Sequence, residues 1–335
     1  MATIQYGETL YPDDSVEREV YGAGPVLRWG PGKLLADIPD HDAAEAEGLL
    51  VLGQWVKDAD LARFPRLRVV VRMGVGYDRI DRAACAARGI TVCNVPDYGT
   101  MEVAEQAVVA AVALRRGLFL YHDTQRADPP AAWRFIPSNG LVRRSEVQSF
   151  GIIGLGRIGT AAALRAKAFG FRVVFYDPHR PNGSDRALGI ARARTLEELL
   201  AQSDVLSVHA PLTPETRGML GLKELKLLPE GAIVVNTARG PIIDIDALAT
   251  VLRDGHLAGA ALDVIPVEPP VEPVPELLRA YRAREKWLEG RLLITPHSAF
   301  HTPQSWDDIR RKSAETMAAF LLSNAAQNVI PPDSY

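Results

Sequence analysis

The sequence predicts an α/β protein of two domains, each organised on a parallel sheet. Three observations point there. A chain of 335 residues exceeds what one hydrophobic core ordinarily organises. From about Gly48, short β-branched runs alternate with helical stretches, the rhythm of parallel α/β structure. In mid-chain a Gly-rich turn stands between an apolar strand and an Ala-rich helix. Taken in order, "GLLVLG" and "LRVVVRMG" read as strands, "DRAACAARG" as a helix closed by glycine, and "ITVCNV" as a strand, giving a small α/β unit. "MEVAEQAVVAAVALRRGLFLY" reads as one long helix, apolar nearly all round, which suits a domain junction or a subunit interface. The second alternation opens at "SFGIIGLG" and continues through "FRVVFYD", "DVLSVHA", "AIVVNTA", "AGAALDV" and "LLITPH". Between these lie helices such as "TLEELLAQ", in which Thr195 and Glu198 have capping-box spacing. A last helix near Thr302 to Ser323 is followed by a tail too short to be a domain, so it is expected to pack back on the N-terminal unit. The expected domains are therefore 1–100 joined by 302–335, and 101–301.

Composition narrows the function classes. A net charge of −3 and a pI near 6.2 provide no broad basic field, and Arg143-Arg144 and Arg310-Arg311-Lys312 read as solvated faces, so no nucleic acid is expected as a partner. Cys85 and Cys93, the two cysteines, cannot build a disulfide framework and have no metal-ligand spacing. No metal is expected, and a reducing cytoplasm is. The opening "MATIQYGETLYPDDS" lacks the pattern of an export signal, and the apolar run Ala107 to Leu114 is too short to span a bilayer. No membrane association is expected.

Gly154, Gly156 and Gly159 stand in G-x-G-x-x-G spacing directly after an apolar strand and open a helix that Gly170 can close. Glycines there allow a tight turn and close backbone approach to a pyrophosphate, whose charge the helix N-terminus binds. The competing reading is a Gly-rich turn in an ordinary α/β core, but the strand before and the helix after supply the context that the motif requires. A Rossmann-type doubly wound sheet, inserted into a smaller flavodoxin-like α/β domain, is the fold expected. Asp177 ends the next strand, where a carboxylate can accept hydrogen bonds from a ribose diol and would repel a 2′-phosphate, so NAD is expected in preference to NADP. Arg180, three residues on, could pair with such a phosphate.

Reduction of a 2-oxo acid needs a cation for the carboxylate, a proton donor for the developing alkoxide, and a group that keeps the donor charged. Arg239 in "VVNTARG", a glutamate loop after "AALDV", and His297 in "LLITPHSAF" follow successive strands of the second domain. Ligands of open α/β sheets bind outside the carboxyl ends of the strands, so these residues can converge. With "RMGVGYDRID", "GIIGLGRIG", "HAPLTPETRGML", "VVNTARG", "AALDVIPVEP" and "TPH" together, the sequence resembles the D-isomer-specific 2-hydroxyacid dehydrogenase family over most of its length. "RAKAFGFRVVFYDP" and "VCNVP" place it closest to the branch containing the C-terminal binding proteins.

The resemblance implies an NAD-dependent oxidoreductase that interconverts a small D-2-hydroxy acid and its 2-oxo acid. Arg239 would bind the substrate carboxylate and carbonyl oxygen, His297 would exchange the proton, and Glu268, from the family pattern D-V-x-x-x-E-P, would stabilise the imidazolium. Arg72, Gly74, Val75 and Gly76 would hold the substrate, with Val75 also near the nicotinamide and Phe300 forming a wall where the C-terminal binding proteins have Trp. Arg157, Ile158, Ala210, Pro211, Thr216, Thr237, Ala238 and Asp263 would line the cofactor, Asp263 bonding the nicotinamide amide. Homodimerisation through the nucleotide-binding domains is also implied.

Blander readings stand beside these. His209 and His256 read as satisfied structural histidines, Arg239 could be an ion-pair partner and Asp263 a turn former; Glu272 and Glu276 read as loop and helix-start charges. The twenty-nine positions from Glu268 to His297 suggest an inserted helix from Pro275, with Leu277, Tyr281 and Leu288 on one face and Trp287 alongside, packed on its own domain. A formate dehydrogenase of similar architecture is disfavoured, because those enzymes pair the histidine with glutamine. The competing class is an NAD(H)-sensing interaction protein resembling the C-terminal binding protein corepressors. The identity of the acid is not encoded in these motifs. It is expected to reside in loops such as "PDYGT" and "WRFIPSNG".

Overall fold

A computed structural model describes residues 2–127, 133–136 and 140–332. The chain divides into two compact units, 1–99 with 301–335 and 100–300, against expected boundaries after residues 100 and 301. The first unit holds a five-stranded parallel sheet of β1 (Thr3–Tyr6), β2 (Val26–Trp29), β3 (Gly48–Val51), β4 (Val69–Arg72) and β5 (Thr91–Cys93). Its order, β2-β1-β3-β4-β5, is the flavodoxin-like 2-1-3-4-5 arrangement. β3 carries no exposed residue, as a strand covered on both faces requires. The C-terminal helix Pro303–Leu321, capped by Thr302, whose hydroxyl accepts from the Ser305 N–H, supplies part of that cover. A Cβ on Gly48 would lie 2.4 Å from the Met317 sulfur. A larger residue there would have to turn the Met317 and Leu321 side chains aside. The buried Arg310 guanidinium donates to the buried Glu17 carboxylate at 2.6 Å, fastening the same helix to Ser15–Tyr21.

The second unit is a seven-stranded parallel sheet: β6 (Ser149–Ile153), β7 (Arg172–Tyr176), β8 (Ala191–Arg192), β9 (Val205–Val208), β10 (Ala232–Asn236), β11 (Leu257–Leu262) and β12 (Leu292–Ile294). The order is β12-β11-β10-β9-β6-β7-β8. It is doubly wound, and the strand order reverses between β6 and β9, the point where such sheets open a crevice. One face is covered by the helices Thr100–Arg115 and Arg157–Ala168, whose alanines pack with Phe150, Phe171 and Phe175. The other is covered by the helices Leu196–Leu200 and Ile245–Arg253.

Two expectations are corrected. The long helix is two, Thr100–Arg115 and Leu118–Ala127, because Gly117 takes φ +62°, a left-handed conformation that ends a helix. The inserted helix is shorter than expected. It runs Glu276–Arg282 from its cap at Pro275, and Arg284 at φ +55° turns the chain so that Leu288 lies on a separate 3-10 turn, Lys286–Leu288. Leu277 and Leu288 are nonetheless buried, with Tyr281 and Trp287 packed beside them. The segment covers its own unit, and Arg253 joins it by an ion pair to Glu276 at 2.7 Å while stacking 4.5 Å from the Trp287 ring centroid. In the capping pair, Glu198 N–H donates to Thr195, but the Glu198 carboxylate accepts from Arg194 N–H rather than from the cap residue. Residues 137–139 of the "WRFIPSNG" loop lie outside the described residues.

Candidate active site

The glycine turn follows β6 at the topological switch. Gly154 has φ +87°, and a Cβ on it would lie 2.8 Å from the Ala210 nitrogen. One on Gly159 would lie 2.0 Å from the Gly154 oxygen. Both positions therefore require glycine. A Cβ on Gly156 would instead meet nothing within 4 Å, which leaves an open approach to the first turn of the Arg157–Ala168 helix. The first N–H groups of that helix have no partner within it, so a phosphate is a fitting one. Arg157 and Ile158 are the first residues of this helix.

Asp177, just past β7, is fixed on both oxygens: Leu155 N–H donates to one at 2.8 Å and His179 N–H to the other at 2.9 Å. Arg180 donates through Nε to the Leu155 carbonyl, so the middle residue of the Gly-Leu-Gly turn is held from both sides. After β9 come His209, Ala210 and Pro211, and after β10 Thr237 and Ala238. The Thr216 hydroxyl donates to the Pro211 carbonyl at 2.7 Å, which closes the 211–216 loop on itself. The Thr237 hydroxyl is buried without a partner. An open cradle over a helix N-terminus and an orphaned hydroxyl at the end of β10, two strands along the same sheet, fit a bound dinucleotide.

Arg239, Glu268 and His297 lie in this unit, each after a strand. Asn236, at the end of β10, accepts from Ala238 N–H at 3.0 Å and donates to the Arg239 carbonyl at 2.9 Å, shaping the turn that presents Arg239. Gly240 lets that turn touch the glutamate loop, since a Cβ there would lie 2.0 Å from the Ile265 carbonyl carbon. Glu268 accepts from Ile265 N–H at 3.0 Å with one oxygen and meets His297 Nδ1 at 2.6 Å with the other. A carboxylate can only accept, so Nδ1 carries the hydrogen and Nε2 is left to face a substrate. Burial pushes the Glu268 carboxyl up, but the hydrogen bond and charge of His297, the Ile265 N–H and the Arg239 cation outweigh it and hold the group below its ordinary value.

Asp263 is the anchor of the histidine loop. Its carboxylate accepts from Thr295 Oγ1 at 2.6 Å, Ser298 N–H at 2.9 Å and Ala299 N–H at 3.0 Å, and its carbonyl accepts from His297 N–H at 2.7 Å. These bonds hold His297 at φ +53°, a conformation uncommon outside glycine. Phe300 stands edge-on to the His297 ring at 6.4 Å. Sequence reasoning passed over Asn236, which carries no motif of its own, and gave Asp263 a cofactor role rather than this anchoring one. Arg72, Gly74, Val75 and Gly76 belong to the first unit, where Arg72 folds over Gly74 at φ +139° and Asn94 holds the Val75 carbonyl at 2.7 Å.

A doubly wound sheet with a dinucleotide turn and a carboxylate-bound histidine beside an arginine defines an oxidoreductase. The comparisons agree. Residues 108–299 match the family model "D-isomer specific 2-hydroxyacid dehydrogenase, NAD binding domain". Glyoxylate reductase of Aeropyrum pernix is 38% identical over 300 residues, covering 87% of this chain and 83% of that protein. A D-lactate dehydrogenase from Aquifex aeolicus, solved with NAD and lactic acid, superposes with a TM-score of 0.79 at 26% identity, covering 96% of each chain. An NADPH-dependent glyoxylate/hydroxypyruvate reductase from Sinorhizobium meliloti, solved with NADP and malonate, superposes at 0.84 and 27% identity, covering 99% of this chain and 97% of that one. The chain belongs to the D-isomer specific 2-hydroxyacid dehydrogenase family.

Proposed function

We propose that the protein reduces a small 2-oxo acid to its D-2-hydroxy acid, and catalyses the reverse, with NAD preferred over NADP. The observation that carries this reading is the 2.6 Å contact between His297 Nδ1 and Glu268, with the Arg239 charge bearing on the same carboxylate. When bound, the nicotinamide supplies or accepts the hydride at the substrate C2. His297 Nε2 gives its proton to the carbonyl oxygen in reduction and takes it back in oxidation, while Glu268 stabilises the charged ring. Arg239 holds the carboxylate and polarises the carbonyl. The fixed Asp177 carboxylate supports NAD, because a 2′-phosphate would meet a like charge; Arg180 beside it narrows that preference, and the similar proteins include users of both cofactors.

A homodimer through the second unit is part of this reading. Met101 and Val109 on one helix, Leu118 on the next, and Leu164 and Phe169 along a third are exposed, with Arg165 reaching the Met101 sulfur at 3.4 Å to link the first and third. Apolar exposure on that scale suits a partner. A cytoplasmic setting is supported by Cys85 and Cys93, which are free thiols rather than a disulfide.

The test is oxidation of NADH and NADPH with glyoxylate, hydroxypyruvate, pyruvate and larger apolar oxo acids. Turnover with at least one, at a lower KM for NADH than for NADPH, is expected. Binding of NADH without turnover of any would move the protein to an NAD(H)-responsive binding role.

A further inference from the structure

His209 is used by nothing in the mechanism above, yet it stands at the switch point. Its backbone N–H donates to the Ile153 carbonyl at 2.8 Å, immediately before the glycine turn. A Cβ on Gly159 would touch its own Cβ at 3.5 Å, and one on Gly154 would lie 3.0 Å from its carbonyl carbon. One ring nitrogen, Nε2, is tied to the hydroxyl of the fully buried Ser207 at 2.9 Å. The other, Nδ1, is closed off from water and has no partner among the described residues. In the parallel register Val208 is opposite Asn236, so His209 and Thr237 follow at matching strand ends. Two orphaned polar atoms, His209 Nδ1 and Thr237 Oγ1, thus border the same edge of the sheet, at the carboxyl ends of adjacent strands. Buried polar groups are almost always paired, and two exceptions in register ask for a common partner.

We infer that His209 is a positioning residue of the cofactor site, with its Nδ1 making a hydrogen bond to an oxygen of the ribose-phosphate part of the bound dinucleotide. Ser207 sets the tautomer: when its hydroxyl donates to Nε2, Nδ1 carries the hydrogen and presents a neutral donor. Burial supports that neutrality by pulling the ring down to about 4. A neutral donor orients the cofactor without adding a cation beside the glycine turn.

The inference rests on the cofactor reading above, and the experiment separates the two. NADH binding is measured by calorimetry on the full chain, its His209→Leu and its His209→Asn variants, alongside the thermal midpoint of each without cofactor. His209→Leu is expected to weaken NADH binding roughly ten- to a hundredfold, with the kinetic loss falling on KM for NADH rather than on kcat. Its midpoint without cofactor should fall slightly, because the unpartnered Nδ1 is removed but the buried Ser207 hydroxyl loses its partner. His209→Asn, which keeps a donor near the Nδ1 position, should recover most of the affinity. Equal NADH affinity in His209→Leu and the parent overturns the inference alone. So does an NADH affinity that stays as low in His209→Asn as in His209→Leu, the signature of a structural role. A parent chain that binds no NADH overturns the cofactor reading together with this one.

Discussion

At the residue scale the site is a set of side chains whose second contacts decide what the first can do. Glu268 is useful to His297 because Ile265 N–H and the Arg239 charge keep it ionised. Its carboxyl lies below its ordinary value when folded, so the ionised pair persists as pH falls through the usual carboxylate range and is lost only below it. Glu268→Gln removes the charge that favours the protonated imidazole, so the proton donor is exhausted sooner on the alkaline side. The upper pH limit of kcat for reduction should move down, read from a pH–rate profile; an unmoved limit would count against the pairing. These residues were legible because each follows a strand and occurs with its partners in a fixed order. Asn236 and His209 were not, since an asparagine inside "VVNTARG" and a histidine after a strand have ordinary structural roles in most proteins. What distinguishes His209 is an absent hydrogen bond, which no sequence displays.

At the element scale, turns carry the precision of the site. Gly240 is one residue beyond Arg239, and its missing side chain lets the arginine turn and the glutamate loop meet. Gly240→Ala would force the Ile265 backbone away, with an overpacking cost on the order of 1–3 kcal/mol and displacement of Glu268 from His297. Chemical denaturation should show the first effect. Steady-state kinetics should show a fall in kcat of at least tenfold, whereas parental kcat would show that the loop absorbs the methyl group elsewhere. The sequence announced strands and helices well where periodicity was long, and failed at their interruptions. Gly117 breaks a helix whose apolar pattern runs straight through it, and Arg284 ends another at a residue with no breaking tendency of its own. In both places the backbone follows contacts that a local pattern does not encode.

At the scale of the whole molecule, alternation made most strands from Gly48 onward readable, and the return of the C-terminal helix from its place after the last strand, but β1, β2 and β8 were passed over. The exposed apolar set of the second unit is a feature of the folded surface rather than of any one helix, since the buried positions of Thr100–Arg115 are equally apolar. Val109, 57% exposed, tests the proposed dimer: Val109→Glu places a charge where a partner would cover it, a penalty of several kcal/mol when unpaired. Light scattering at micromolar concentration should show dimer for the parent and monomer for the variant. A parent that is monomeric would remove the dimer from the proposal.

The tight fit of Met317 against Gly48 also has a bearing on the order in which the protein is made. Every residue of the second unit leaves the ribosome before the helix that completes the first. At synthesis rates of about 5–20 residues per second, the first sheet waits roughly 10–40 seconds for its cover, while the nucleotide-binding unit can already close behind it. A chain truncated near residue 300 and released should therefore hold a folded second unit together with a first sheet whose Gly48 face is still bare, a natural station for a chaperone.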